Sequence, residues 1–487
     1  MPAGTERVGS TIALARSADR PIAYVADEDE RALRTVDLAS GAEIAFTPLD
    51  AAPGQLLVTT DGRILVALRG GASIVALEPA ADPALPLTAL CAIGVPAEPH
   101  GLTLTPDGAR LLVTSRWGHA LTAFETANLA TIFTVPLDRD PASVITSADG
   151  TKAFVSHVVG SRLSIVDLDA RSARAVDLHQ VENPGAFSMR KAVRWSTVQG
   201  YALARTAAGR VLAPGVLANP SIAPGEAPAG GYGPGGGPAE IGDIAVIDEK
   251  TNALSTTPVF SVISHANCML PRAAAVDEAR GHLLVACLGE GVRVYDASAK
   301  LPHQLPLRRF EVADGPTGIA VDVRASRGYV WSQMARTVSV LALDVPAASG
   351  DEFWSGKFRG SPHPQRAFTL PPHRASEDAR VALGRRLFHG AEDGRIAGDH
   401  RACASCHPDG RDDGLTWTTP DGPRQTPILA ARLGDTAPYS WDGSNTDSHE
   451  PRAPHAPPAP RVRALEDRAG SAPRLRLSHG GAGRARR

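Results

Sequence analysis

The sequence predicts a mainly β protein, a seven-bladed β-propeller over residues 8–345 followed by a small α-helical domain over residues 375–450. Three observations lead to this prediction. Glycine (47 residues) and proline (40 residues) are abundant, which favours many turns and short strands. One phrase of alternating apolar residues around a turn recurs along the first part of the chain. The pattern then changes to a helical one with a single compact cysteine motif.

The recurring phrase joins two apolar runs by a turn of the Asp-Gly type. It reads QLLVTTDGRILVALRGGASIVALEP from Gln55, and the turn residues Asp61, Asp107 and Asp149 are 46 and 42 residues apart. Further copies begin at Ser10, Gly101, Ser143, Ala273 and Gly318. Each copy supplies three or four strands joined by hairpin turns. A period of about 40–50 residues with this content is typical of a propeller blade.

A seventh copy fits between the others but is divided by an insertion. It reads AVRWSTVQGYALAR before the insertion and IGDIAVIDEKTN after it. The Gly/Pro-rich insertion, about residues 213–239, is expected to be a flexible surface loop. Residues 346–374 are expected to form a linker. Residues 451–487 hold nine arginines and six prolines, and we expect either a disordered tail or an out-of-frame or truncated end.

Composition excludes several classes of function. Hydrophobic residues make up 43% and charged residues 21% of the chain, which is typical of a globular protein. The formal net charge of -2 gives no electrostatic reason to expect nucleic acid or an anionic membrane as partner. No run approaches 18 apolar residues, so we expect no membrane span.

The motif that carries chemistry is ACASCHPDG, residues 402–410. Cys403, Cys406 and His407 form the Cys-x-x-Cys-His pattern that attaches c-type haem. Two thiols one helical turn apart reach two vinyl groups on one edge of the porphyrin, and the following histidine ligates the iron. A helix is predicted to begin at Ser376 and to precede the motif. The sequence therefore predicts one covalent haem c.

Other interpretations of the motif are a structural zinc site, a redox dithiol and chance. A zinc site needs two further cysteines or histidines at similar spacing, and none has it. A thioredoxin-like dithiol needs a βαβ context, which the sequence lacks. Because the motif follows the helical phrase ALGRRLF in a separate C-terminal segment, haem attachment is the favoured interpretation.

Two families resemble parts of the chain. The repeats, including VADEDERALRTVDL from Val25, resemble YVTN-type and lactonase-like seven-bladed propellers. GRRLFHG (384–390), ACASCH (402–407) and GPRQTPILAARLGDTAPYSWDG (422–443) together resemble the first haem domain of the di-haem cytochrome c peroxidase family. This second resemblance implies a cytochrome c-like domain, an iron ligated by His407, and a tryptophan between two haems at Trp441. A simple buried aromatic is the alternative interpretation of Trp441.

The chain departs from the peroxidase family in three ways. It has no second Cys-x-x-Cys-His motif, no histidine between His407 and Trp441, and no methionine after Met334. The sixth position of the iron is therefore expected to be open, filled by water, or taken by one of three side chains. Those side chains are His389, His400 and Tyr439. An open position would permit peroxidase-like oxidoreductase chemistry if a second haem exists in the full product.

Other side chains carry weaker hypotheses. Cys268 and Cys287 form either a disulfide between neighbouring strands or a pair of free thiols. His100, His157 and His265 recur near strand ends, where a metal site in the propeller channel competes with an ordinary polar role.

The leading functional hypothesis is an exported redox protein that transfers electrons through one haem c. Its expected partner is a redox protein or a small electron donor, and the propeller face offers a docking surface for another protein. The alternative is a propeller binding module with a vestigial haem segment. A third hypothesis is a propeller enzyme with a channel metal. Because haem c is attached outside the cytoplasm, we expect a periplasmic or cell-surface location, although MPAGTERVGSTIALAR shows no signal peptide.

Overall fold

The computed structural model describes ten stretches of the chain, and every structural statement below concerns these residues. They are 7–15, 21–182, 193–220, 240–255, 268–304, 306–344, 363–374, 377–391, 401–419 and 422–430. They form seven antiparallel sheets in chain order, followed by two helices and a two-stranded hairpin. The predicted seven-bladed propeller is confirmed.

The first four blades follow the sequence repeats closely. Blade one is β1 (Ile12–Leu14), β2 (Ile22–Asp27), β3 (Ala32–Asp37) and β4 (Glu43–Pro48), and blade two is β5 (Pro53–Val58), β6 (Ile64–Leu68), β7 (Ser73–Glu78) and β8 (Thr88–Gly94). Blade three is β9 (Pro99–Leu104), β10 (Arg110–Ser115), β11 (Ala120–Glu125) and β12 (Thr131–Pro136), and blade four is β13 (Pro141–Thr146), β14 (Lys152–His157), β15 (Arg162–Asp167) and β16 (Ser172–Asp177).

The last three blades contain the departures from the repeat. Blade five is β17 (Gln180–Glu182), β18 (Val193–Val198), β19 (Ala204–Arg205), β20 (Arg210–Ala218), β21 (Glu240–Asp248) and β22 (Leu254–Ser255). Blade six is β23 (Pro271–Asp277), β24 (His282–Cys287), β25 (Gly291–Asp296) and β26 (Pro306–Phe310), and blade seven is β27 (Pro316–Asp322), β28 (Arg327–Ser332), β29 (Thr337–Ala342) and β30 (Arg366–Thr369). A 3₁₀ helix at Pro302–Gln304 precedes β26.

The Asp-Gly turns identified in the sequence join the first two strands of blades two, three and four. Gly62, Gly108 and Gly150 have φ of 90°, 74° and 72°, a conformation that glycine adopts without a steric cost. In blade three, the Asp107 side chain accepts hydrogen bonds from Thr105 Oγ1 (2.5 Å) and the Ala109 amide (3.0 Å). These short-range bonds explain why the repeat is visible in the sequence.

The core consists of apolar clusters between neighbouring blades. Each of the seven neighbouring pairs, including blades seven and one, shares such a cluster. Between blades seven and one it contains Ile12, Val25, Trp331 and Val340, all 0–2% exposed. Burying one such aliphatic side chain contributes about 1.5–3 kcal/mol, so apolar packing closes the ring.

Polar contacts add to this closure. Gln333 Nε2 donates to Asp27 Oδ1 at 2.9 Å, and Trp331 Nε1 donates to Gln333 Oε1 at 2.9 Å, so one buried amide joins the last blade to the first. The N-terminal segment 7–10 pairs with inner strands β5 and β9. Because Val8 also packs against the cluster between blades four and five, this segment crosses the central channel.

Blade five corrects the predicted bounds of the insertion. Residues 213–218, expected in the loop, belong to β20 and pair with 240–245 of β21. β18 pairs with β20 only at residues 216–218, and β19 pairs with it only at residues 211–212. No strand therefore pairs with Pro214 on that side, so the amide hydrogen that proline lacks is not needed there. The proline and glycine in this strand led to its prediction as part of a loop. The rest of the predicted insertion, residues 221–239, lies outside the described residues.

The predicted linker and helical domain also differ in detail. β30 lies inside residues 346–374 and pairs with β29, so the propeller extends beyond residue 345. Helix α1 (Ala379–His389) begins at an N-cap of Asp378, whose side chain accepts from the Arg380 amide, and not at Ser376. Helix α2 (Cys403–Cys406), a 3₁₀ helix at Pro408–Gly410, and the hairpin β31 (Thr416–Thr419) and β32 (Gly422–Gln425) complete the described chain. A cytochrome c-like domain stays a prediction. None of the described helices has the length and apolar character needed to cross a bilayer.

Candidate functional site

The C-terminal segment covers one mouth of the propeller channel. We call its described residues, 377–391, 401–419 and 422–430, the cap. The channel mouth is formed by the residues that directly follow the second strand of six blades: Glu28, Arg69, Arg116, Val158, Leu288 and Gln333. Ala404 and Trp417 of the cap share a buried apolar cluster with Val198 and Leu270 of the propeller. The close approach is visible at Gly289, where a Cβ atom would lie 2.1 Å from the His389 carbonyl oxygen.

The Cys-x-x-Cys-His motif forms one helical turn within the cap. Helix α2 spans Cys403 to Cys406, and the His407 amide donates to the Cys403 carbonyl oxygen at 3.0 Å. Ala404 and Ser405 are 0% and 1% exposed and face the propeller, while both cysteines and His407 are half-buried. The two intervening residues therefore hold the turn in place and leave the thiols and the imidazole less covered.

Gln199 fixes this turn from the propeller side. Its Nε2 donates to the Ala404 carbonyl oxygen at 2.8 Å and to the Ser405 carbonyl oxygen at 3.0 Å. Pro408 has no amide hydrogen to offer the Ala404 carbonyl, so α2 ends there and Gln199 replaces the missing donor. Gln199 itself has φ of 64° and follows β18 at the interruption of the strand, which aims its side chain at the cap.

Burial keeps two side chains of the motif in their neutral forms near pH 7. Burial lowers the pKa of His407, so the imidazole is neutral near pH 7 and able to bind a metal. Burial raises the pKa of the Cys403 thiol, which argues against an activated redox thiolate. Cys403 is a free thiol. Among the described residues, no group of three His, Cys, Asp or Glu side chains is arranged to hold a metal ion.

A charged network joins the motif to the channel mouth. Asp409, two residues after His407, has φ of 52°, and its carboxylate lies 2.5 Å from Arg116 Nη1 and 4.0 Å from Arg69 Nη2. Burial alone would raise the pKa of Asp409, but Arg116, Arg272 and Arg69 hold it well below the usual range. We call Arg69, Arg116 and Arg272 the arginine cluster. The carboxylate of Asp409 is thus charged and held by the propeller.

Further ion pairs attach the edge of the cap. Arg411 Nη2 lies 2.7 Å from Glu98, Arg139 Nη2 lies 2.5 Å from Asp412, and Arg385 Nη1 lies 2.8 Å from Asp29. These pairs are more exposed than the one at Arg116, so each is worth less than about 1 kcal/mol. They fix the orientation of the cap more than its affinity for the propeller.

A cavity of about 150 Å³ remains between the cap and the channel mouth. It is lined by polar side chains of both parts, including Glu28, His100, Tyr201, Arg272 and His389. Burial lowers the pKa of His100 to about 3 and that of His389 to about 4, so both imidazoles are neutral near pH 7. Tyr201 is 2% exposed and packs between Arg116 and Arg272, whose guanidinium carbons lie 5.3 and 3.8 Å from the ring centroid.

The structure places the predicted site residues in three groups. Cys403, Cys406 and His407 lie together in the cap, while Trp441, His400, Tyr439 and His265 lie outside the described residues. His100 and His389 line the cavity. His157 is buried in blade four, where its ring nitrogens contact the Arg139 carbonyl (2.7 Å) and Ser164 Oγ (2.8 Å), which is an ordinary structural role. Cys268 and Cys287 form a disulfide with Cα atoms 5.5 Å apart.

Sequence reasoning missed the residues that hold the cap. A signal for two of them exists, because Arg69 and Arg116 occupy the same position in neighbouring repeats, VALRGG and VTSRWG. Asp409 and Gln199 carry no such signal. Asp409 contacts Arg116, 293 residues away in sequence, and Gln199 contacts Ala404, 205 residues away. Only the folded propeller brings these residues together.

Comparison with known proteins gives the fold alone. No family model and no curated protein matches the chain. Among solved structures, a chain of Kuenenia stuttgartiensis hydrazine synthase matches with a TM-score of 0.54 and 14% identity, over 71% of this chain and 98% of that one. A functionally unknown protein from Desulfotomaculum acetoxidans (TM-score 0.44, 13% identity, 67% and 94% covered) and virginiamycin B lyase from Staphylococcus aureus (0.44, 11%, 67% and 92%) are also similar. The chain has the fold of a seven-bladed β-propeller.

Proposed function

We propose that this chain is a propeller binding module whose channel mouth is covered by its own cap. The observation that carries this proposal is the contact of Asp409 with Arg116, a fully buried guanidinium at the channel mouth. Propellers bind their ligands on rigid faces around the channel, and the same fold serves many chemistries. The ligand must therefore be argued from the polar groups at this mouth.

A second candidate function is electron transfer through haem c, as the sequence motif predicts. The supporting observation is the helical turn that places Cys403 and Cys406 one turn apart, with His407 neutral and half-buried beside them. In this proposal the two thiols hold the porphyrin covalently and His407 ligates the iron. Bound haem would supply one-electron redox chemistry. A redox protein or small electron donor would be the partner.

Both functions are proposed for the periplasm or the cell surface. The disulfide between Cys268 and Cys287 supports this location, because disulfides persist in oxidising compartments. Both cysteines are buried, at 6% and 0% exposure, within the cluster between blades five and six.

Protection of the cap tests the binding module. Trypsin is expected to cleave the native wild-type protein slowly at Arg385, Arg411 and Arg424. In Gly289→Ala the new Cβ meets the backbone of the cap, so cleavage at these sites should be faster. Gly94→Ala, whose Cβ meets nothing within 4 Å, is the matched control. Equal, rapid cleavage of wild type and both variants would show that the cap is not bound, and the proposal would fail.

A spectrum separates the two functions. The chain would be expressed with an export signal and the haem-attachment machinery, and its reduced visible spectrum recorded. One c-type haem per chain, lost in Cys403→Ala but retained in Cys91→Ala, supports electron transfer. Absence of haem from a protein with a protected cap leaves the binding module as the function and excludes the haem proposal.

A further inference from the structure

The arginine cluster is held mainly by the propeller, and the cap reaches it through Asp409, which contacts Arg116 and lies 4.0 Å from Arg69. Arg116 contacts Asp140 through Nε (2.6 Å) and Nη2 (3.1 Å), so two of its nitrogens are bound by the propeller. Its Nη1 points to Asp409 of the cap. Arg69 is held by Glu28 and Glu98, each at 2.8 Å. On the propeller side Arg116 Nη1 has only a distant carboxylate among the described residues, Glu98 at 3.9 Å, and the cap supplies the close one, Asp409.

Arg272 is the least satisfied member of the cluster. Its Nη1 donates to Gln199 Oε1 at 2.9 Å, and it forms no ion pair within 4.0 Å among the described residues. Arg272 Nη2 and the Tyr201 hydroxyl are both buried, and neither has a hydrogen-bond partner among the described residues. Leaving a buried charged donor unpaired costs free energy, so this position favours an additional acceptor.

The cavity lies beside these groups. Arg69, Tyr201, Arg272 and Asp409 all line it, and its volume of about 150 Å³ accommodates a small organic molecule. The imidazoles of His100 and His389 also line the cavity and are neutral near pH 7, so they add hydrogen bonding without charge. Besides Asp409, the wall carries one carboxylate, Glu28, which is paired with Arg69. Its other polar groups include guanidinium donors, a phenol and imidazoles, which suit a carboxylate ligand.

We propose that the channel mouth is a binding site for small carboxylates and that Asp409 is its intramolecular occupant. The inference rests on the proposed binding module and names its ligand class. A free carboxylate takes the place of Asp409 on Arg116 and the unpaired nitrogen of Arg272, and its remaining atoms occupy the cavity. Because Asp409 is tethered, it competes at a high effective concentration, and the wild-type protein binds such ligands weakly.

Succinate binding to the full chain tests this inference. Calorimetry should show that Asp409→Asn binds succinate at least about tenfold more tightly than wild type, because the competing carboxylate is gone. Asp412→Asn removes the same charge from the same loop, where it pairs with the exposed Arg139, and should bind as wild type does. Arg272→Gln combined with Asp409→Asn should abolish the gain.

Three results would overturn the inference. One is unchanged succinate affinity in a folded Asp409→Asn protein. Another is an equal gain in Asp412→Asn, which would indicate a general charge effect. The third is equally tight binding of inorganic phosphate, which would make the site one for anions in general. If the wild-type cap is cleaved rapidly by trypsin, the binding module itself fails; if the cap is protected and succinate does not bind, the carboxylate site alone fails.

Discussion

Replacing Gln199 with methionine tests how the cap is held. Gln199 is fully buried and donates to two carbonyl oxygens of α2, at 2.8 and 3.0 Å. Methionine has a similar length and no branch at Cβ, so it suits the same backbone conformation. It removes both donations from Nε2 and also the Oε1 atom that accepts from Arg272 Nη1 at 2.9 Å. The Ala404 carbonyl has no alternative partner within the helix because Pro408 lacks an amide hydrogen.

The magnitude follows from the two carbonyl groups that lose their donor. Each buried group left without a hydrogen bond costs about 1–3 kcal/mol, so the variant loses about 3 kcal/mol of the free energy that holds the cap. Since 1.4 kcal/mol is tenfold, the open population of the cap should rise about 100-fold. The propeller keeps its seven apolar clusters and should unfold as a unit much as before.

Amide hydrogen exchange measures this opening. The amides of His407 and Gly410 are hydrogen-bonded inside the cap and report on its release. Both should exchange about 100-fold faster in Gln199→Met, whereas strands of blades two and three should not change. Gln304→Met, the same substitution at an exposed position, is the control. Exchange in the cap that stays within about threefold of wild type would refute this account of how α2 is held.

Three further predictions concern the propeller. Burial lowers the pKa of His157 to about 4, so protonation favours unfolding and stability is lost as pH falls below 6.5. Urea unfolding should show that the stability advantage of wild type over His157→Gln shrinks by about 2.5 kcal/mol between pH 7.5 and 4.5; a constant difference would contradict this account. Gly101→Ala places a Cβ 2.2 Å from a carbonyl oxygen of blade four and should cost about 1–3 kcal/mol in urea unfolding, while Gly94→Ala should be neutral; equal effects would be inconsistent with crowding. Removing the disulfide by Cys268→Ala and Cys287→Ala should lower the unfolding free energy by about 3 kcal/mol, and reductant should destabilise wild type by a similar amount; no effect of reductant on wild type would contradict the disulfide.

The propeller could be predicted because its determinants are local and repeated. Each Asp-Gly turn fixes its own hairpin through bonds that span a few residues, as Asp107 and Thr105 show. The errors occurred where local composition misleads. Pro214 suggested a loop, but the interrupted partner strands make it acceptable in β20. The segment that forms β30 was predicted to be part of a linker. It is a strand because it pairs with β29, which lies well before it in the sequence.

The sequence by itself determined the blade repeat, the number of blades and the Cys-x-x-Cys-His motif, because each depends on residue types at fixed short spacings. Only the tertiary structure decided where the motif lies. The closed ring brings Arg116 to Asp409 and Gln199 to Ala404, pairs that local spacing does not encode. At that contact the three arginines keep Asp409 charged and burial keeps His100 neutral, since solvent is excluded from the cavity only when the cap and the propeller are together.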